Sequence, residues 1–182
     1  MSHDQEVRRL IAAAFCIASI PAIARAQTIP LACRPLIDAE RKTITTPHHV
    51  HSTQTSAGPS QRVRTTEGIT TGDVIYIQYG GKWRRSPATP KQMLAQMDTN
   101  LTTATAYSCT RIGDESEAGT AATVYTAHTE NEGVKADTRV WVGKGSGLVL
   151  RTEQDMDTGG GDKVHMSIRY DYTNVKAPAG VK

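Results

Sequence analysis

The chain has 182 residues, with 21 basic and 18 acidic side chains, so its formal net charge is +3 at pH 7. This length suits a single domain with one core, and the scattered charges argue against the concentrated basic face that nucleic-acid binding needs. One Phe and few other aromatic residues also argue against a platform on which bases could stack.

The first 26 residues have the pattern of a secretory signal peptide. An arginine pair precedes an apolar run from Leu10 to Ala24, which ends in the cleavage pattern Ala24-Arg25-Ala26. The run is short for a membrane span and contains Pro21, although an uncleaved anchor helix is the alternative. We therefore expect export to the periplasm, removal of residues 1–26, and a single mature domain over 27–182 with no transmembrane segment and a loose C-terminal tail.

Cleavage would leave two of the three cysteines, Cys33 and Cys109. Two cysteines in an oxidising compartment predict one disulfide, which would contribute about 4 kcal/mol by the loop-entropy relation. The alternative is lipidation of Cys33. That modification needs a lipobox beside the apolar run, and Pro30 stands where this motif has Leu.

The next segment predicts a short helix followed by four strands. Pro35 suits the first turn of a helix over 34–42. The Gly80-Gly81 pair suits a two-residue hairpin turn, because both glycines tolerate positive φ. The strands that we predict span 49–55, 61–70, 74–79 and 82–84.

The clearest helix start lies at Thr89. This residue can act as the N-cap, Pro90 suits the first helical position, and Gln92 completes a capping box. One apolar stripe follows, formed by Met93, Leu94, Met97 and Leu101. The methionines could fill a core or line a site for variable apolar ligands.

The C-terminal half predicts strands only. Two strands, 103–112 and 120–129, would be joined by 113–119, and three more would follow between Asp137 and Pro178 around glycine-rich turns. In the last strand Val164, Met166, Ile168, Tyr170 and Tyr172 alternate with polar residues, which indicates one buried face and one wet face.

The strand before it has the same alternation. It places Leu148, Leu150 and Met156 on one face with Thr152 and Gln154. A hairpin through Gly159-Gly160-Gly161 would then set Glu153 opposite Arg169, and Arg151 opposite Asp171, as opposite-charge pairs.

Three stretches of this half carry a family resemblance: Trp141-Val142, Gly147-Leu148-Val149-Leu150-Arg151-Thr152-Glu153 and Arg169-Tyr170-Asp171-Tyr172. With them the chain resembles the periplasmic LolA/LppX-like superfamily from about Cys33 to Pro178, and small exported proteobacterial proteins of that kind in particular. The resemblance implies an α+β fold in which a strongly curved antiparallel sheet, an incomplete barrel, wraps around one or two helices.

The resemblance also implies a function without catalysis. We expect a periplasmic binding or carrier protein for an acyl chain or another hydrophobic ligand. Its binding residues would be Met93, Leu94, Met97, Leu148, Leu150, Met166, Ile168 and Tyr170. The alternative is a structural or protein-interaction module of the cell envelope with no small-molecule ligand; an apolar cavity of about 300 Å³ or more would favour the binding protein.

Glycine-rich and acidic stretches do not supply a catalytic or cofactor motif. The serine in 143–147 is one place late for a nucleophile elbow, and a strand follows it, which also argues against a dinucleotide loop. The acidic stretch 155–159 lacks the spacing and the distal Glu of a calcium loop. We expect no cofactor.

The histidines at 48, 49 and 51 are the remaining candidates for chemistry. Alternation along a strand puts His49 and His51 on one side, where two imidazoles could begin a zinc or copper site. The local sequence offers no third ligand, so His128, His165 or a carboxylate would have to come from another strand. We therefore expect solvated polar residues here, with no metal. An enzyme would require these histidines to meet an acidic group in a cleft.

Overall fold

The computed structural model describes residues 29–57, 62–159 and 163–181, so the predicted signal peptide lies outside the described residues. A 3₁₀ turn, Leu31–Cys33, leads into helix α1, Arg34–Thr45, and helix α2 spans Pro90–Thr103. The strands are β1 His48–Ala57, β2 Arg62–Thr71, β3 Val74–Tyr79, β4 Lys82–Arg85, β5 Ala106–Glu117, β6 Thr120–Asn131, β7 Val134–Gly143, β8 Val149–Asp157 and β9 Lys163–Asp171.

The nine strands form one antiparallel sheet in the order β4-β3-β2-β1-β9-β8-β7-β6-β5. The first strand pairs with the last, and this ladder joins the two series of hairpins. Because β4 and β5 are edges that do not pair with each other, the sheet is not closed. The predicted α+β fold, a curved antiparallel sheet with helices against one face, is confirmed. We call that face concave and the other convex.

Local sequence signals determine how α2 begins. The backbone N–H of Gln92 donates to Oγ1 of Thr89 at 3.3 Å, and the N–H of Thr89 donates to Oε1 of Gln92 at 2.9 Å. This is the predicted capping box. The predicted Gly80-Gly81 turn is also confirmed, with φ of 57° and 74° at the two glycines.

No helix in the described ranges is long and apolar enough to cross a membrane.

Helix α1 supplies most of the contact between helix and sheet. Leu36 and Ala39 pack on Val140, Val142 and Val149 in one buried cluster. A second cluster joins both helices to β5 through Cys33, Ile37, Leu101, Met97 and Tyr107. The predicted disulfide between Cys33 and Cys109 is confirmed, with 5.1 Å between the Cα atoms, and it ties the start of α1 to β5.

Strand β5 is longer than the sequence predicted. It continues to Glu117 and turns at Ala118-Gly119, where both residues have positive φ. The predicted connection 113–119 is therefore mostly strand. This segment is polar because its acidic side chains Glu115 and Glu117 lie on the convex face, where they contact arginines of β7 and β8.

A β-bulge at the start of β8 changes which residues face the helices. Trp141 lies opposite Arg151, whereas Val142 lies opposite Val149, so Leu150 is the extra residue. Leu150 packs with Trp141 on the convex face, and Val149 packs under α1. The alternation that placed Leu150 on one face with Thr152 and Gln154 is therefore wrong, because it assumed a regular strand.

The register of β8 and β9 also differs from the prediction. The hairpin ladder begins at the pair Asp157 and Lys163, which sets Arg151 opposite Arg169 rather than opposite Asp171, and Glu153 opposite Ser167. The two predicted charge pairs are wrong by a shift of two residues, which keeps every side chain on its face. Arg151 is instead neutralised by Glu117 and Glu153.

Candidate ligand cavity

A cavity of about 660 Å³ lies between the two helices and the concave face of the sheet. It is lined by Glu40, Thr43, Ile44, His48, Val50, Thr70, Met93, Gln96, Met97, Asn100, Leu101, Tyr107, Ala127, Thr129, Ala136, Thr138, Val149, Thr152, Gln154, Met166, Ile168 and Tyr170. Its wall is mainly apolar, and seven of the nine strands contribute to it.

The structure brings five of the eight predicted binding residues to this cavity. They are Met93, Met97, Met166, Ile168 and Tyr170. The other three lie elsewhere.

The three leucines are separated from the cavity for local reasons. Leu148 lies in the turn before β8, where its N–H is 3.2 Å from Oγ of Ser146. Leu150 is turned to the convex face by the bulge. Leu94 is half-buried on α2 but is not among the lining residues.

Sequence reasoning missed several lining residues of helix α1 and of strands β1, β5 and β8. Val50 lies between His49 and His51 in the sequence, but its side chain is on the opposite face of β1, toward the cavity. Val149 was missed because of the bulge. Tyr107 comes from β5. It lies within the predicted strand 103–112, but the sequence analysis did not assign its side chain to a face of the sheet.

Glu40 places a carboxyl group among these apolar side chains. Burial raises its pKa to about 7, because the charged form loses water that the cavity does not replace. Burial also raises the pKa of Tyr107 and of Tyr170, and in both cases the nearby Glu40 adds to the shift. The cavity therefore contains one titratable acid beside two phenols that stay neutral.

His48 is the basic side chain among the described lining residues. Its Nδ1 lies 2.7 Å from the carbonyl oxygen of Thr46, and its Nε2 lies 3.4 Å from Oγ1 of Thr70. The carbonyl requires Nδ1 to carry the proton, so Nε2 accepts from the Thr70 hydroxyl. Burial lowers the pKa of His48, which favours this neutral form. Its ring lies 5.5 Å from that of Tyr170.

The cavity opens to solvent beside α2. Three residues of this helix, Met93, Gln96 and Asn100, both line the cavity and are exposed, and Met93 has 45% of its surface accessible. The amide of Gln96 donates to Oδ1 of Asn100 at 2.8 Å, one turn further along the helix. The opening therefore has a polar edge above an apolar interior.

The remaining histidines of the predicted cluster lie on the opposite side of the sheet. Because side chains alternate along β1, His48 and Val50 face the cavity, whereas His49 and His51 lie on the convex face. They meet Glu67 of β2 there.

No protein-family model matches the chain, and no curated protein matches it. Among solved structures, the Mycobacterium tuberculosis lipoprotein LppX is 14% identical, with a TM-score of 0.40 over 81% of this chain and 95% of that one. A LolA superfamily protein from Nitrosomonas europaea is 6% identical, with a TM-score of 0.30 over 81% of this chain and 96% of that one. These two belong to the group that the sequence resembles.

A third similar structure is the complex of Pseudomonas aeruginosa MucA and MucB. It is 13% identical, with a TM-score of 0.35, and the match spans 82% of this chain and 59% of that one.

Proposed function

We propose that this chain is a non-enzymatic binding or carrier protein whose ligand is hydrophobic and sits between the helices and the concave face. The observation that carries the proposal is the apolar cavity of about 660 Å³. Small-molecule sites have volumes of roughly 300–1,000 Å³ and combine an apolar wall with a few polar groups. A closed core would have left no such space, because protein interiors are packed to the density of organic crystals.

The shape of the wall suits an aliphatic ligand. Met93, Met97 and Met166 contribute thioether side chains from α2 and β9, and Ile168 lies between Met166 and Tyr170 along its strand. Methionine side chains adapt to ligands of different shape, because they are unbranched and polarisable. Each methylene group of a chain buried here would add about 0.8 kcal/mol.

The charges of the wall restrict the chemistry of the ligand. Among the described lining residues there is no lysine or arginine, and Glu40 is the only carboxylic acid. A ligand whose carboxylate or phosphate entered the interior would find no counter-charge, and ionised Glu40 would repel it. We therefore assign the interior to an acyl chain or another uncharged apolar group, with any charged headgroup left at the polar edge beside α2.

Export to the periplasm is part of the proposal. The disulfide between Cys33 and Cys109 supports an oxidising compartment. The arrangement of an arginine pair, an apolar run and Ala24-Arg25-Ala26 supports cleavage before Gln27. The intact mass of the protein recovered from the periplasm tests this directly, because it shows whether the chain begins at Gln27.

Ligand binding is tested with N-phenyl-1-naphthylamine, a neutral probe that fluoresces in apolar sites. We expect saturable binding by the wild type and a loss of at least tenfold in affinity for Ala136→Phe, because Ala136 lines the cavity and a phenyl group would fill part of it. Ala121→Phe is the matched control, since Ala121 is an exposed alanine of the neighbouring strand. Both variants should unfold at the urea concentration of the wild type or above it.

A second measurement looks for the natural ligand. Native mass spectrometry of the periplasmic protein, followed by organic extraction, should reveal an adduct of acyl-chain mass that Ala136→Phe lacks. No probe uptake and a clean apo mass, with both variants folded, would reject the binding protein and leave the envelope interaction module as the function to test.

A further inference from the structure

A second site lies on the convex face, on the side of the sheet opposite to the cavity. Its side chains come from neighbouring positions of β1 and β2. His51 lies directly opposite Glu67 in the ladder between these strands, and His49 is two residues before His51 on the same face.

Their potential ligand atoms converge. Nε2 of His49 lies 3.2 Å from Oε2 of Glu67, and Nδ1 of His51 lies 3.9 Å from Oε1 of the same carboxylate. The two imidazole rings are 4.2 Å apart between centroids. One nitrogen from each histidine and one carboxylate oxygen all lie within 4.8 Å of one another.

We propose that His49, His51 and Glu67 form a binding site for a divalent transition-metal ion, with Zn²⁺ as the reference ion. Zn²⁺ binds imidazole nitrogen and carboxylate oxygen at roughly 2.0–2.2 Å, which places tetrahedral ligand atoms about 3.4 Å apart. The two spacings to the carboxylate, 3.2 Å and 3.9 Å, lie on either side of this value, and small rotations of the three partly exposed side chains would bring the ligand atoms to it. Two imidazoles and one carboxylate are a known zinc ligand set that leaves the fourth position to water.

Two charged side chains of β9 flank the cluster. Asp171 lies opposite His49 and Arg169 lies opposite His51 across the ladder between β1 and β9, so this strand adds one carboxylate and one guanidinium to the same face. The three ligand side chains keep 28% (His49), 51% (His51) and 33% (Glu67) of their surfaces exposed, which gives an ion direct access from solvent. The ligands also stand on paired strands in the interior of the sheet, which hold them at fixed separations.

The sequence alone could not complete this site. The spacing of His49 and His51 suggested two ligands, but the third, Glu67, lies on another strand, and neither His128 nor His165 joins them. The pairing register of β1 with β2 supplies it.

Zinc binding is measured by calorimetry on the tag-free full chain carrying His3→Gln, so that the histidine near the terminus does not contribute. We expect one Zn²⁺ per chain, and a loss of at least tenfold in affinity for His49→Gln and for Glu67→Gln. His165→Gln is the matched control, because this exposed histidine of the sheet contacts, among the residues that the structure describes, the carboxylate of Asp155 alone; its affinity should match that of the parent. Mg²⁺ should give no heat, since it prefers oxygen ligands.

A spectroscopic readout locates the ion independently. The ring of Trp83 lies 6.1 Å from that of His49, so bound Cu²⁺, which the same ligands bind more tightly than Zn²⁺, should quench its fluorescence. Trp83→Phe should remove this quenching, and Glu67→Gln should shift it to at least tenfold higher Cu²⁺. No zinc heat in the parent, or equal affinities in the parent, His49→Gln and Glu67→Gln, would overturn the proposal.

Discussion

The backbone N–H of Val149 donates a hydrogen bond to Oγ1 of Thr43 at 2.9 Å, which joins helix α1 to the bulge of β8. The Tyr172 hydroxyl donates to the carbonyl oxygen of the same valine, and the hydroxyls of Tyr172 and Thr43 lie 3.4 Å apart. The bulge leaves backbone groups that the neighbouring strand does not pair, and these side chains satisfy them.

Thr43→Val should therefore destabilise the fold by about 1–3 kcal/mol, because the buried N–H of Val149 would lose its acceptor. Urea unfolding measures the difference. Thr45→Val is the control: its hydroxyl is exposed on the same helix and, within the described part of the chain, bonds only to the helix carbonyls of Arg41 and Lys42. The cost should therefore stay below about 0.5 kcal/mol. Equal costs for the two variants would contradict this role of Thr43.

The disulfide gives a second prediction. Replacing Cys33 and Cys109 together with alanine should reduce the free energy of unfolding by about 2–4 kcal/mol, since the bond closes a loop with a sequence separation of 76. Reductant should destabilise the wild type by a similar amount and leave the double variant unchanged. A double variant as stable as the oxidised wild type would contradict the prediction.

Glu40 makes stability depend on pH. Its pKa is about 7 in the folded protein against an ordinary value of 4.5, so the folded state retains the proton more strongly. Below pH 4.5 the group is protonated in both states and costs nothing; as pH rises to 7 it ionises first in the unfolded chain, and folding loses up to about 3 kcal/mol. The solvent that enters the partly open cavity reduces this figure.

Glu40→Gln should therefore become more stable relative to the wild type as the pH rises from 5 to 8. Asp38→Asn, at an exposed acid of the same helix, is the control and should show no such trend. Binding of the neutral naphthylamine probe should weaken above pH 7 in the wild type and stay constant in Glu40→Gln. A constant difference between Glu40→Gln and the wild type across this range would contradict the prediction.

The register of β8 and β9 can be tested with one charge. Arg151 lies directly opposite the exposed Arg169, so Arg169→Glu should stabilise the protein by about 0.2–1 kcal/mol at low salt, and Arg169→Gln should give part of that gain. The gain should shrink in 1 M salt. Destabilisation by Arg169→Glu that is repaired by Glu153→Arg would instead support the register in which Glu153 faces Arg169.

Local signals in the sequence were enough for most of the fold. The positive φ that Gly80 and Gly81 tolerate, the capping box at Thr89 and the alternation from Val164 to Tyr170 each act within a few residues, and the structure follows them. The bulge at Leu150 has no such signal, because its backbone groups are paired by Thr43 and Tyr172, which are remote in sequence.

The lining of the candidate cavity was also predictable only where it depends on local sequence signals. Met166, Ile168 and Tyr170 follow from one regular strand. Glu40 did not stand out, because a glutamate on a predicted helix is normally solvated, and only the packing of α1 against the sheet brings it to the cavity wall. Glu67 was missed for a similar reason, since strand pairing between β1 and β2 places it beside the histidines.

The pairing of β1 with β9 also bears on how the protein is made. Residues 48–57 cannot find their partner until residues 163–171 have left the ribosome, so the sheet cannot be completed on a partial chain. Pairings this remote in sequence form slowly, because the entropy cost of closing a long loop comes before the stabilising contacts can form. The hairpins within each series pair neighbours in sequence and can form earlier, so the two series are joined only when β9 is available.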